Sequence, residues 1–249
     1  KTEDRMRDTS NQEDGKNIKV EENPIGCTLS YPTMFYYQSS QKDNIYTQIP
    51  MYFIDFLCIH REHGQLKKTR EIFQTHEYNQ SHNNKKIVVS LFKREGELTG
   101  IVPLTAYQTY IFDMKNWNSP PKQLHAKTTL LVGDSQNIFY LYNFINELTN
   151  GKKYSKYDIT IIPEMANLIS LVQSKNMYIY LMLTDMEIEA VYIFKKTCTN
   201  IEKGKEILSL IASINTIELT NFVQGFKNAL WEILVNNPNY HYLAIEDTS

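Results

Sequence analysis

The stretch from Tyr52 to Arg61 constrains this chain most. Tyr52-Phe53-Ile54-Asp55-Phe56-Leu57-Cys58-Ile59 is apolar apart from Asp55, and it stops abruptly at His60-Arg61. A run of that length, rich in aromatic and β-branched residues and bounded by charge, reads as a buried strand. Lys67-Lys68 follows at the start of a segment with helical composition. A buried strand, a short charged turn and a basic helix start in succession imply a mixed α/β sheet fold.

The surrounding sequence extends that pattern. Gly26 to Gln38 reads as a strand bent at Pro32, and Ile45 to Ile59 as one or two strands broken at Pro50. Leu66 to Gln80 reads as helix, Ile87 to Lys93 as strand, and Leu98 to Phe112 as extended chain past Pro103. Asn116 to Lys122, with Pro120-Pro121, is the clearest linker. Beyond it, Ser135 can cap a helix whose Ile138, Leu141, Tyr142, Ile145 and Leu148 share one face, ended by Gly151. Pro163 suits the first turn of a short helix through Val172. Met177–Leu183 and Ile188–Phe194 form a hairpin around Asp185-Met186-Glu187. Thr220 can cap a helix that buries Phe222, Phe226, Leu230 and Leu234, and Tyr240 to Ile245 is a final strand. The division expected is a polar tail over 1–23, an N-terminal half over 24–115, a linker over 116–127 and a C-terminal half over 128–249.

Composition narrows the partners. The net charge of -2 gives no basic surface for nucleic acid or anionic membrane, so any phosphate site must be a local patch. No run reaches the ~18 apolar residues of a membrane helix. The first residues, Lys1 to Asn23, are polar and charged, as in a flexible tail rather than a signal peptide, and residues before Lys1 are expected. Cys27, Cys58 and Cys198 lack CxxC spacing, and two of them lie in apolar runs, where a free Cys behaves as a small buried hydrophobe. Reduced thiols in a cytoplasmic protein are the expectation. His60, His63 and His76 read as surface or capping residues rather than metal ligands, without Cys or a placed carboxylate to complete a site. Glycine is sparse, and neither GxGxxG, a Walker loop nor GxSxG occurs.

What remains is the chemistry available at Tyr52–Lys68. Acyl transfer from a thioester to an amine needs donors aimed at the developing oxyanion, an acceptor for the amine proton, and a positive hold for pyrophosphate. Phe56-Leu57 at a splaying strand end can offer backbone amides, Asp55 a carboxylate beside them, and Lys67 and Lys68 positive charge, joined by His60 and Arg61. A plain core strand beside solvated lysines has the same pattern.

The same residues resemble the glycylpeptide N-myristoyltransferases, in which two GNAT-like halves pack together. Asp55-Phe56-Leu57-Cys58-Ile59-His60 resembles that family's Asn-Phe-Leu-Cys-Val-His, whose Phe and Leu amides form the oxyanion hole. Gly26-Cys27-Thr28-Leu29-Ser30-Tyr31-Pro32 resembles Gly-Phe-Ile-Ser-Ala-Ile-Pro, and Lys67-Lys68 falls at a Lys-Arg pair that contacts CoA phosphates. Leu98-Thr99-Gly100-Ile101-Val102-Pro103 resembles Tyr-Thr-Ala-Gly-Val-Val-Leu-Pro, so Thr99 would lie near the substrate amine. Tyr178 to Phe194, Leu208 to Asn215 and Leu243 to Asp247 are similar to the second half. The resemblance implies an acyl-CoA co-substrate (myristoyl-CoA), no covalently bound cofactor and an acceptor with an N-terminal glycine. Asp55 departs from the family's Asn, Thr69-Arg70-Glu71 from its Val-Ala-Pro, and the family segments expected before Gly26 and after Ser249 lie outside the match. Those departures leave a second expectation, an inactive protein of the same fold serving as a structural or assembly component.

Overall fold

The computed structural model describes residues 25–38, 46–63, 66–87, 89–93, 103–150 and 159–247. Two sheets make up the framework. Strands β1 (Gly26–Gln38), β2 (Tyr46–Ile59), β3 (Val89–Phe92) and β6 (Ile159–Pro163) form the first, in the order β3-β2-β1-β6. Strands β4 (Thr109–Asp113), β5 (Thr128–Val132), β7 (Met177–Thr184), β8 (Glu187–Glu202), β9 (Lys205–Asn215) and β10 (Tyr240–Glu246) form the second, in the order β4-β10-β9-β8-β7-β5.

Both sheets contain the same unit. β1 and β2 are antiparallel, and helix α1 (Leu66–Asn83) then returns the chain to β3, which is parallel to β2. Likewise β8 and β9 are antiparallel, and helix α4 (Leu219–Asn236) returns the chain to β10, parallel to β9. The expected pair of GNAT-like halves is therefore present as topology, although the two units share no sequence repeat. Each sheet also takes a strand from across the proline-rich segment: β4 pairs with β10, and β6 pairs with β1.

Most of the core lies on the two faces of the second sheet. On one face, Leu230, Ile233 and Ala229 of α4 pack on Tyr192, Phe194 and Leu208. On the other, helices α2 (Ile138–Asn150) and α3 (Met165–Gln173) bring Ile138, Leu141 and Leu168 against Ile179, Leu181 and Val191. Each such aliphatic or aromatic side chain contributes roughly 1.5–3 kcal/mol when taken out of water. Gly225 lets α4 approach, because a Cβ there would overlap Tyr192 Oη and Met182 Sδ. The β7–β8 hairpin turns at Asp185 and Met186, both at positive φ (49° and 72°), the mirror-type turn whose twist matches its strands.

Several expectations are corrected. β2 runs through Pro50 without a break and is irregular at Asp55 instead. Pro50 pairs with Met34 as the fifth residue of a two-sided strand, a place that the loss of one N–H does not forbid. The α2 cap is Asp134, not Ser135, since Asp134 Oδ1 accepts from the Gln136 and Asn137 amides at 2.8 and 2.9 Å. Pro163 closes β6 opposite Thr33 rather than opening α3, whose N-cap is Glu164. Helix α4 begins at Leu219 with Glu218 as N-cap, ahead of Thr220. Cys27 and Cys58 are exposed rather than buried, because they lie on the face of the β1–β2 pair turned away from α1. The helix end at Gly151, the start of the extended segment from Leu98 and the tail over 1–23 lie outside the described residues.

Candidate functional site

The parallel ladder between β2 and β3 runs from Met51↔Val89 to Ile54↔Phe92 and ends there. The next residue of β2 is Asp55, and it is skipped in the register with β1: Ser30 faces Ile54, while Leu29 faces Phe56. Asp55 is therefore a β-bulge, which bends the strand and re-aims its side chain. It sits immediately past the last parallel pair, where β2 leaves β3.

Backbone alternation decides which amides the opening can use. The His60 amide donates to Ile25 O at 2.7 Å, which makes Ile25 and His60 a hydrogen-bonded pair of the antiparallel ladder. Such pairs alternate with non-hydrogen-bonded ones, so Cys27↔Cys58 and Leu29↔Phe56 are hydrogen-bonded, and Thr28↔Leu57 is not. The Leu57 N–H points away from β1, towards the edge past the end of β3. The Phe56 N–H points at β1. Of the two expected donors, Phe56 and Leu57, only Leu57 has its amide turned away from β1, because consecutive amides of a paired strand face opposite edges. Beside Leu57, Thr28 Oγ1 is buried without a hydrogen-bond partner among the described residues.

Asp55 reaches the second sheet. Lys195 Nζ of β8 donates to Asp55 Oδ2 at 2.6 Å, with the two side chains 24% and 21% exposed. The expected carboxylate is present but already neutralised by a lysine that no local pattern in the sequence marks. Burial first, and then the negative charge of Asp55, hold the Tyr31 hydroxyl well above its ordinary pKa.

Beyond β2 the chain makes a 3-10 turn at Arg61–His63 and enters α1 at Leu66. Lys67 and Lys68 lie in its first turn, which contains no acidic residue. Unpaired amides and the positive end of the helix dipole already concentrate there, so two lysines are destabilising unless an anion joins them. Lys67 is exposed and only loosely held by Glu71, at 4.0 Å; Arg61 and His60 are exposed nearby in sequence. Thr99 lies outside the described residues. The helix is fixed against β1 at Gly26, where an added Cβ would lie 2.8 Å from both Ile72 Cδ1 and Cys58 O.

Under α1 a polar network anchors the sheet. The buried Gln80 bonds Ser30 Oγ of β1 and His76 Nε2 (2.9 Å), and Ser90 Oγ of β3 donates to Gln80 Oε1 at 3.3 Å. His76 is thereby a structural partner of Gln80. No group of three or more His, Cys, Asp or Glu side chains that could hold a metal converges among the described residues. A cleft of about 390 Å³ at the start of α4, lined by His125, Glu189, Glu218 and Gln224 among others, includes none of the residues singled out from sequence. No described helix is long and apolar enough to cross a membrane.

No family model matches the sequence, and no curated protein matches it. Solved structures do. N-myristoyltransferase of Saccharomyces cerevisiae with bound myristoyl-CoA aligns at a TM-score of 0.57 and 14% identity, over 92% of this chain and 59% of that one. The same enzyme with bound myristoyl-CoA and inhibitors gives 0.59 and 14%, over 92% and 60%. A further structure with bound myristoyl-CoA gives 0.50 and 17%, over 89% and 60%. At these identities the likeness is one of fold, and it fits two GNAT-like halves. This chain spans 59–60% of the length of those enzyme chains.

Proposed function

We propose that this chain binds an acyl-CoA at the opening between β2 and β3 and transfers the acyl group to an amine, as an N-myristoyltransferase-like protein. The observation that carries the reading is the succession at one strand end. The parallel ladder stops at Ile54, a bulge follows at Asp55, the Leu57 amide faces the edge of β2 beyond that ladder, and an acid-free helix start bears Lys67 and Lys68.

In this reading the thioester carbonyl accepts from the Leu57 N–H, and the pyrophosphate lies at the first turn of α1 against Lys67 and Lys68, with His60 and Arg61 beside it. The neutral amine attacks the carbonyl carbon, and the oxyanion of the tetrahedral intermediate is held by the amide it already meets. Collapse breaks the C–S bond, CoA leaves as thiolate, and the proton released by the amine ends on that thiolate. Asp55 accepts this proton in transit only when Lys195 gives up its contact. The acceptor supported by the resemblance is the N-terminal glycine of a peptide, with Thr99 near its amine, and the acyl chain supported is myristoyl.

Binding of myristoyl-CoA measured by calorimetry, followed by transfer of labelled myristate to a Gly-initiated peptide, tests the reading. Absence of both binding and transfer refutes it. Binding without transfer supports the second reading, an inactive protein of this fold that serves in an assembly, which the Asp55–Lys195 pair favours by occupying the carboxylate.

A further inference from the structure

We propose that Cys27 and Cys58 are a reversible oxidation site: a cross-strand dithiol that closes to a disulfide on the β1–β2 pair. The register places the two residues directly opposite each other, and both are exposed free thiols. Opposed residues of a ladder point to the same face, with Cβ atoms about 4.5–5.5 Å apart. By the alternation fixed at His60 and Ile25, the pair is hydrogen-bonded, with Cα atoms about 5.5 Å apart. Disulfides span Cα separations of about 4.4–6.8 Å, most often about 5.5–6 Å, and Cβ separations of about 3.5–4.5 Å. A hydrogen-bonded pair lies at the wide end of that Cβ range, so the bridge forms after the side chains draw together by about 1–2 Å.

Free cysteines are normally among the most buried residues, so two exposed ones in register are not explained by packing. Among the described residues nothing on their own face covers them: Leu29, the next residue of β1 on that face, is 56% exposed. The opposite face is closed at this point, since Ile72 of α1 seats on Gly26. An exposed bridge between two already paired strands belongs to the labile, readily reduced class, in contrast to the inert disulfides that staple secreted domains.

The co-reactant is a low-molecular-weight disulfide such as oxidised glutathione. One cysteine thiolate attacks it, an S–S bond breaks, and one small thiol leaves while a mixed disulfide forms on the protein. The second cysteine then attacks the protein sulfur of that mixed disulfide and expels the second small thiol. Two cysteine thiols are oxidised, one small disulfide is reduced to two thiols, and the two cysteine protons end on the released thiols. The bridge locks β2 between the Asp55 bulge and His60, around the Leu57 amide. Its effect on acyl transfer rests on the function proposed above; the oxidation itself does not.

The test uses the folded full chain with Cys198→Ser, equilibrated with glutathione of graded redox ratio, then alkylated and mapped by peptide mass spectrometry. The expected product is an internal Cys27–Cys58 bridge that a thiol reductant reverses. Cys27→Ser and Cys58→Ser should each instead accumulate a stable glutathione adduct on the remaining cysteine. Stable adducts on both cysteines of the parent, disulfide-linked dimers, or reaction only after denaturation would overturn the proposal. A transfer assay on reduced and oxidised protein is the separate arm: at least a several-fold fall on oxidation is expected, absent in Cys27→Ser. A reduced protein without transfer refutes the function while leaving the dithiol chemistry readable.

Discussion

Replacing Gly225 by alanine sets two strong rules against each other. Gly225 lies inside α4 and is buried, and by intrinsic propensity the change should stabilise the helix by about 0.8–1.0 kcal/mol. The packing says otherwise. The new Cβ would overlap Tyr192 Oη and Met182 Sδ and lie 3.1 Å from Tyr192 Cζ. Met182 can shift its thioether cheaply, but Tyr192 is fully buried and its hydroxyl donates to Phe222 O of the same helix at 2.7 Å. Overpacking of this kind costs about 1–3 kcal/mol. Breaking the tyrosine bond and stranding the buried hydroxyl costs about 1–3 kcal/mol more. Set against the propensity gain, the net loss is about 1–5 kcal/mol, or roughly 2–20 °C in Tm for a domain of this size. Urea unfolding followed by circular dichroism measures it. Tyr192→Phe removes the atom most in the way, so the double variant should lose less than the sum of the two single losses. A Gly225→Ala protein as stable as the parent, or more so, would refute the claim that α4 is seated through this glycine.

Three further outcomes follow from the site and the core. Lys67→Ala and Lys68→Ala should each weaken binding of CoA by up to about tenfold, since about 1.4 kcal/mol corresponds to one decade, and the loss should shrink at high salt. The same substitutions should leave the free protein as stable or slightly more so, because a positive charge leaves the positive end of α1. Lys195→Met strands the half-buried Asp55 carboxylate and should cost about 1–3 kcal/mol in urea unfolding, with Asp55→Asn plus Lys195→Met costing less than Lys195→Met alone. Tyr31, Tyr142, Tyr180 and Tyr192 all have pKa values raised above their ordinary value, in each case chiefly by burial. The unfolded chain therefore releases these protons first. The stability they secure is intact below about pH 10 and is lost as pH rises beyond it. Absorbance titration should show these tyrosinates appearing together with loss of structure, and independent ionisation in a folded protein would contradict the burial.

The elements with their own periodicity were legible before the structure. Ile138, Leu141, Ile145 and Leu148 announce α2, and Asp185-Met186 between two apolar runs announces the β7–β8 hairpin. What stayed hidden was mostly partnership. Thr128–Val132 and Ile159–Pro163 are too short to stand out, and they become strands only because β7 and β1 offer them edges. At the site, the bulge at Asp55 cannot be seen in composition, since it is a mismatch of register between two strands. Lys195 lies 140 residues away from Asp55, inside a strand whose alternation gives no sign of a partner. The two cysteines read as buried because their neighbours are apolar; which face a helix covers is decided by Gly26, a residue that carries no hydrophobicity at all.

The position of that bulge recurs in the second unit. The β9–β10 ladder ends at Leu210↔Ile245, and the next residue of β9, Ile211, is skipped in the register with β8, where Ile193 faces Ala212 and Phe194 faces Leu210. In both units, then, the strand bulges one residue after its last parallel pair, and a helix follows. The register pattern is the same in both units, and charge distinguishes them. Helix α1 starts with Lys67 and Lys68 and no acid in its first turn, so its unpaired amides and side chains together favour an anion. Helix α4, which likewise has no acid in its first turn, carries no lysine there; its N-cap is Glu218, and Glu189 lines the same cleft. On the proposed function, a pyrophosphate should favour the first start over the second. Reversing the first pair to Lys67→Glu, Lys68→Glu should therefore abolish CoA binding altogether rather than move it to α4, and binding that survived there would show that the opening, not the charge, selects the ligand.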